Sequence, residues 1–304
     1  MGYALSRLCA ALNQRHNVAN MSFSINAPAK INLSLSITGR RADGYHLLDS
    51  LFVFCGLADT LTIHAGDGLS LVQQGRFADG LPSGPDNLVL RAARLLAQEA
   101  GCKADAAMHL EKVIPVAAGL GGGSADAAAA LNGLNRFWGL HWPVERLEYL
   151  GAQLGADVPA CIRSQPVFAR GVGDQLIAAP ALPACGVLLV NPLVGTPTPA
   201  VFKAYAAVNP VIPQRACTPW PDAFADLDAL VSSLSSRGND LATAAVQVTP
   251  VTGVVLAHLN ALPGMRYAGL SGSGATCFAL FDDEFEARNA PVPDCWWRWG
   301  GSIA

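Results

Sequence analysis

The stretch PVAAGLGGGSADAAAAL, Pro115 to Leu131, sets four glycines within five positions directly against a run of alanines. A strand, a glycine loop and a helix in that order aim backbone N–H groups and the positive end of a helix at one point, where an anion binds. Glycine permits the loop and lets a phosphate approach the backbone, while alanine stiffens the helix behind it. The same residues serve equally well as a tight turn beneath a close-packed helix. Two familiar nucleotide fingerprints fail. The P-loop needs a lysine that does not follow Gly123, and GxGxxG breaks at Ser124 when started at Gly119 and at Asp126 when started at Gly121.

Three further groups have chemistry to offer. In KINLSLSIT, Lys30 to Thr38, apolar and polar residues alternate without a break, which predicts a half-buried strand with Lys30 and Asn32 on its polar face. A lysine at a strand end usually frays into solvent, but Lys30 is flanked by APA and INL with little other charge nearby, which favours a cleft position. Asp157, in LGADVPACI, is by itself a turn or helix-start residue, and Tyr45 and His46, in DGYHLL, are by themselves packing residues.

These side chains depend on the elements that carry them. GRRADGYH reads as a turn and LLDSLFVFCG as a second strand. NLVLRAARLLAQEAG predicts a helix capped by Asn87 and stopped by Gly101, MHLEKVIP a strand leading into the glycine loop, and SADAAAALNGLNRFWG a helix ending near Gly139. Pro143 to Gln153 suits another helix. The turn-rich PVFARGVGDQL is the expected domain boundary, giving an N-terminal domain over 21–171 and a C-terminal one over 172–304 that opens on the buried strand CGVLLVNPLVG. Proline-rich 207–226 reads as a long surface loop, and CWWRWGG as a closing strand. Strands and helices do not alternate regularly, so a mixed α+β architecture is favoured over a doubly wound sheet.

A chain of 304 residues that is 51% hydrophobic has ample material for two domains. The net charge of −3 gives no reason to expect nucleic acid or an anionic membrane as a partner, since both demand a basic surface. Eight scattered cysteines without a CxxC pair suit small buried hydrophobes in a reducing compartment, and no apolar run reaches the roughly 18 residues of a spanning helix. A cytoplasmic protein is expected. The first 20 residues carry basic residues and no acid, and are expected to be a tail outside the fold, with the functional start at Met21.

PVAAGLGGGSADAAAAL resembles the phosphate-binding motif of the GHMP kinases, and LSGSGATCFALF resembles their C-terminal glycine motif. APAKINLSLSITGRRADGYHLLDSLF is similar to the N-terminal signature of the members that act on a cytidine-linked substrate, with LGADVP and TPTPAVFK following in the right order. The resemblance runs from about Ala27 to Phe281. It implies a two-domain α+β fold, its N-terminal part like domain 2 of ribosomal protein S5 and its C-terminal part a ferredoxin-like α/β sandwich. It implies ATP and Mg²⁺ as cofactors, and transfer of a phosphoryl group to the 2-hydroxyl of a cytidine-diphosphate-linked methylerythritol in the non-mevalonate route to isoprenoid precursors. The alternatives are another small alcohol as acceptor, or a nucleotide-binding module without catalysis.

Residue by residue, the resemblance makes Asp157 the base and Lys30 the group that holds the attacking hydroxyl, a pairing that would keep both charged. Nucleotide binding falls to Pro115, Val116, Ala117, Ala118, Gly119, Leu120, Gly121, Gly122, Gly123, Ser124 and Ala125. The substrate falls to Asn32, Tyr45, His46, Thr198 and Phe202, with Tyr45 and Phe202 as stacking faces and His46 at the edge of the base. Ala125 stands where the family usually has a second serine, which leaves any hydroxyl contact with phosphate to Ser124. The residues that hold Mg²⁺ are not legible. Ser271 to Thr276 is expected either to close the site around phosphate or to be a tight turn between strand and helix.

Overall fold

In the computed structural model, which describes residues 22–210 and 216–303, the first sheet is organised around one long strand, β3 (His46–His64). Its middle, LFVFC, is rich in aromatic and β-branched residues that fill a pleated surface. β1 (Phe23–Asn32) and β2 (Ser36–Arg40) pair antiparallel along one edge of β3, and β5 (Ala106–Glu111) and β6 (Val167–Gly171) along the other. β4 (Leu69–Gln74) runs parallel to β5, and β7 (Gln175–Ala178) forms a hairpin with β6.

Four helices cover one face of this sheet: α1 (Leu88–Ala100), α2 (Gly122–Phe137), α3 (Val144–Ala152) and α4 (Val158–Arg163). Asn87 caps α1 by accepting the Val89 N–H, and Gly101 ends it in the left-handed region, as the sequence predicts. α2 lies close to the sheet because its buried face is alanine and glycine. A Cβ on Gly133 would stand 2.7 Å from Ile63 Cδ1.

The second sheet has the order β11-β8-β10-β9, with β8 (Gly186–Asn191), β9 (Tyr267–Leu270), β10 (Cys277–Phe281) and β11 (Trp297–Ser302) all antiparallel. α5 (Thr198–Val208), α6 (Leu227–Ser235), α7 (Ala242–Val248), α8 (Val251–Asn260) and α9 (Glu284–Asn289) complete the domain. This βαββαβ arrangement is ferredoxin-like. Side chains of β8 alternate between two cores. Val187 and Leu189 pack with Ile31 and Val53 of the first sheet, and Leu188 and Val190 pack with Val201 and Val255 of the helices. Among the described residues no helix is long and apolar enough to cross a membrane.

Several expectations are corrected. The strand read over Lys30 to Thr38 is broken between Asn32 and Ser36, where Leu35 leaves β3 to bridge Asn239 of the second domain. Its polar side chains Lys30, Asn32 and Ser34 are all buried, Lys30 in the cleft position that its uncharged flanks favour. Alternation reports two environments, and here the second environment is a lined cleft. The boundary expected after Gly171 falls inside the β6–β7 hairpin, whose two strands belong to one sheet. Gly171 and Gly173, both at positive φ, shape that hairpin turn. The second sheet begins at Gly186.

The loop expected over 207–226 begins after α5 and is not all surface: Trp220 stacks on Phe168 at 4.8 Å and Phe224 is buried. Ser271 to Thr276 joins two strands, not a strand and a helix. The expected tail and start at Met21 lie outside the described residues.

Candidate active site

Lys30 enters the cleft near the end of β1, just after a register shift between Pro28 and Lys30. Its backbone N–H donates to the Leu120 carbonyl at 2.9 Å, tying the strand to the glycine loop. The ammonium donates to Asn32 Oδ1 at 2.7 Å, lies 3.1 Å from Asp157 Oδ2, and stands 4.4 Å from the centre of the Phe52 ring. Asp157 occupies the N-cap position of α4 but makes no capping bond, so its carboxylate is turned to the lysine. Lys30 is buried, whereas the Asp157 side chain keeps 33% of its surface exposed to the cleft.

Asn32 is the junction of this network. Its Nδ2 donates to Ser50 Oγ at 2.9 Å, and Ser50 donates onward to the Ser34 carbonyl. Its backbone N–H donates to Ser271 Oγ at 3.1 Å, and Ser271 in turn donates to the Gly119 carbonyl at 2.8 Å. One hydroxyl from the second domain thus holds both the lysine-bearing strand and the glycine loop. The Thr276 N–H also donates to the Ala118 carbonyl.

The loop itself is built for close approach. Gly119 has φ +76, and a Cβ there would meet the Ser271 carbonyl at 2.4 Å. Ala117 also lies at positive φ, a conformation that a non-glycine residue adopts only when its surroundings impose it. Pro115 to Gly119 and Gly121 to Ser124 line a cavity of about 490 Å³ together with Lys30, Asn32, Asp157, Thr198 and Phe202. Leu120 and Ala125 do not line it. Both side chains are buried in the cores, and the Ala125 N–H is spent on the Gly121 carbonyl inside the helix.

A second cavity, of about 590 Å³, holds Tyr45 and His46 and shares Leu48, Val172, Thr198 and Phe202 with the first. All five residues expected to meet the substrate therefore lie along one joined space. The arrangement at its far end differs from the expected sandwich. The His46 ring packs on Phe202 with centroids 5.1 Å apart and a 30° tilt, while Tyr45 is 66% exposed at the rim. Burial, with a smaller contribution from Arg40, lowers the His46 pKa and favours the neutral ring. Its Nε2 is buried without a hydrogen-bond partner. Thr198 Oγ1 lies 2.8 Å from Ser273 Oγ.

Sequence reasoning missed Ser271 as a tie between domains, and it missed Lys112, which lines the first of these cavities in a buried ionic cluster with Asp59 and Asp126. Lys112 stands three residues before Pro115, a spacing that offered a signal. Among the described residues no group of three or more His, Cys, Asp or Glu side chains is arranged to hold a metal ion.

Two family models match the chain: GHMP kinases N terminal domain over residues 87–165 and GHMP kinases C terminal over 225–291. The 4-diphosphocytidyl-2-C-methyl-D-erythritol kinase of Paramagnetospirillum magneticum is 47% identical over 91% of this chain and 96% of its own. The enzyme of the same name from Paracoccus denitrificans is 50% identical, with the same coverage. Among solved structures, a 4-(cytidine 5'-diphospho)-2C-methyl-D-erythritol kinase superposes with TM-score 0.73 at 32% identity, covering 92% of this chain and 99% of that one. A mevalonate kinase from L. major, solved with R-mevalonate, shares the fold at TM-score 0.67 and 13% identity.

Proposed function

The chain belongs to the GHMP kinases, and from that premise we propose that it transfers the γ-phosphoryl group of ATP to the 2-hydroxyl of 4-diphosphocytidyl-2-C-methyl-D-erythritol. The observation that carries this reading is the joined cavity, which sets the Lys30–Asp157 pair between a glycine loop and an aromatic recess. A long substrate with a base at one end and an alcohol at the other fits that sequence of groups.

Phosphoryl transfer asks the protein chiefly for alignment and charge stabilisation. In our reading the N–H groups at the start of α2 and along the loop cradle the phosphates. Asp157 accepts the proton of the attacking hydroxyl. Lys30, fixed by Asn32, holds that hydroxyl and offsets negative charge as the bond to phosphorus forms. With Lys30 Nζ 3.1 Å from Asp157 Oδ2, the pair contributes chiefly by position. Thr198 contacts the substrate between the two ends, and Tyr45, His46 and Phe202 receive the cytosine. Leu120 and Ala125 support the loop from the core. Mg²⁺, which a kinase of this family implies, would accompany the nucleotide and would offset negative charge on its phosphates.

We further place the reaction in the non-mevalonate route to isoprenoid precursors and the protein in the cytoplasm, a setting that its unpaired described cysteines suit. The intact Lys30–Asp157 geometry supports an active enzyme over a silent nucleotide-binding module. The test is ADP release, coupled to a reporter, with the diphosphocytidyl substrate beside mevalonate, homoserine and galactose. Turnover with the first alone is expected; turnover with another alcohol, or with none, overturns the assignment.

A further inference from the structure

Beneath the glycine loop lies an ionic cluster in which neither Lys30 nor Asp157 takes part. Lys112, just after β5, places its ammonium 2.5 Å from Asp59 Oδ2 and 2.7 Å from Asp126 Oδ2. All three side chains are buried. Two carboxylates share one ammonium, so the fully ionised cluster carries one excess negative charge.

The two carboxylates are not equivalent. Asp59, on β3, is satisfied, because its Oδ1 accepts the N–H groups of Val113 at 2.6 Å and Ile114 at 2.9 Å. Asp126 sits one turn into α2, and its Oδ1 is buried with no hydrogen-bond partner. A buried, charged oxygen without a donor is costly, and a proton on the carboxyl removes that cost. Burial, opposed by Lys112 and reinforced by Asp59, pushes the Asp126 carboxyl up to about 7.

Lys112 connects this cluster to the cavity. It lines the cavity wall, and its ammonium lies 3.3 Å from where a Cβ on Gly122 would stand. Phosphates gripped at the start of α2 compete with Asp126 for that ammonium. The other titratable groups around Asp126 do not relieve it. On α4 the Cys161 thiol is pushed up, mainly by burial, and so stays neutral. Lys30 and Asp157 flank Gly121, at 3.2 Å (Cε) and 3.9 Å (Oδ2) from where its Cβ would stand, and are occupied with each other.

We propose that Asp126 is a positioning residue whose protonation is coupled to nucleotide binding: as a carboxylate it holds Lys112 in the free protein, and as the neutral acid it yields Lys112 to the phosphates. The proton comes from solvent and no other bond changes. The inference rests on the kinase reading, since it needs a nucleotide on the loop. Affinity then weakens as pH rises, because an Asp126 that is ionised in the free protein must capture a proton on binding.

Calorimetric titration of the full chain with a non-hydrolysable ATP analogue and magnesium, in buffers of different ionisation heat, tests this. At pH 8 the expected uptake is between about half and one proton per nucleotide, with Kd rising roughly three- to tenfold per pH unit from pH 7.5 to 8.5. Asp126→Asn should still bind but lose both the uptake and the slope beyond the nucleotide's own titration. Binding without uptake in the wild type, or equal uptake in the variant, overturns the inference while leaving the kinase reading intact. Absence of any binding overturns both. Should the variant fail to fold, infrared difference spectra of the wild type decide: a protonated-carboxyl band must grow on addition of the analogue, and its absence refutes the coupling.

Discussion

At the phosphate end of the joined cavity, position comes from backbone and from buried hydrogen bonds that cross the domain junction. Ser271 of the second domain holds Gly119 and Asn32 of the first, and Asn32 holds Lys30. At the aromatic end, position comes from side chains: Tyr45 is largely exposed, and His46 is kept in place by packing on Phe202. The difference matches the two tasks. A transferring phosphoryl group tolerates little misplacement, whereas a stacked base gains most of its energy from area and tolerates tilt. Changes at the first end should therefore act on turnover and nucleotide affinity, and changes at the second on the affinity of the acceptor alone.

The sharpest way to break this contrast is Asp157→Asn. Turnover should fall by about 10²-fold or more, the low end of a general base's contribution, while an ATP analogue still binds. Single-turnover rates and nucleotide titration measure the two separately. Near-normal turnover would remove Asp157 from the mechanism. Gly119→Ala comes next. Its Cβ would stand 2.4 Å from the Ser271 carbonyl and its φ is +76. The left-handed conformation alone costs about 1–2 kcal/mol, so nucleotide Kd should rise about tenfold or more and the melting temperature should drop. A loop that accepts the alanine with unchanged affinity would show that the second domain does not set its shape.

At the other end, Phe202→Ala and Tyr45→Ala should raise KM for the cytidine substrate and spare both kcat and nucleotide affinity. Loss of a stacking partner is worth about 1–3 kcal/mol, or roughly 5- to 150-fold. Phe202 should show the larger effect, because it also supports His46 and lines both cavities. If kcat falls as steeply as KM rises, the two ends are not separable and the contrast fails.

What could be read from the sequence follows the same division. The glycine loop is contiguous, the alanine run announces the helix that follows it, and Asn87 and Gly101 announce α1 ahead of the loop's flanking strand. Lys30 and Asn32 lie two residues apart on one strand, so their shared face was visible before their partners were. The Lys112 cluster was hidden because its partners Asp59 and Asp126 stand 53 and 14 residues away, in segments with patterns of their own. Ser271 was visible as part of a glycine motif, but its bond to Asn32 spans 239 residues. Burial at the end of β1 was legible only for Lys30, whose uncharged flanks favour a cleft, and not for Asn32. Periodicity reports that two faces differ, and only the folded chain shows that at the end of the strand, around Lys30 and Asn32, neither meets water.

The smallest expected effect belongs to His46, and it sharpens the comparison because it separates recognition from chemistry by pH. Burial and then Arg40 lower its pKa, so the ring is neutral at pH 7 with one nitrogen free to accept a hydrogen bond. The unfolded chain takes up this proton near the ordinary value of about 6.5, and the folded protein only at a lower pH. As pH falls through that window the unfolded state binds more protons, so the stability due to the neutral ring is present above about 6.5 and is lost below it. The ring is partly open to solvent, which keeps the loss small. For the cytidine substrate the same protonation replaces an acceptor with a donor against Phe202. KM should therefore rise modestly as pH falls below the ordinary imidazole value of about 6.5, with nucleotide Kd showing no matching rise. In His46→Gln, which cannot titrate, that pH dependence of KM should disappear. A wild-type profile reproduced in the glutamine variant would assign the dependence to another group and leave His46 as a packing residue beneath Phe202.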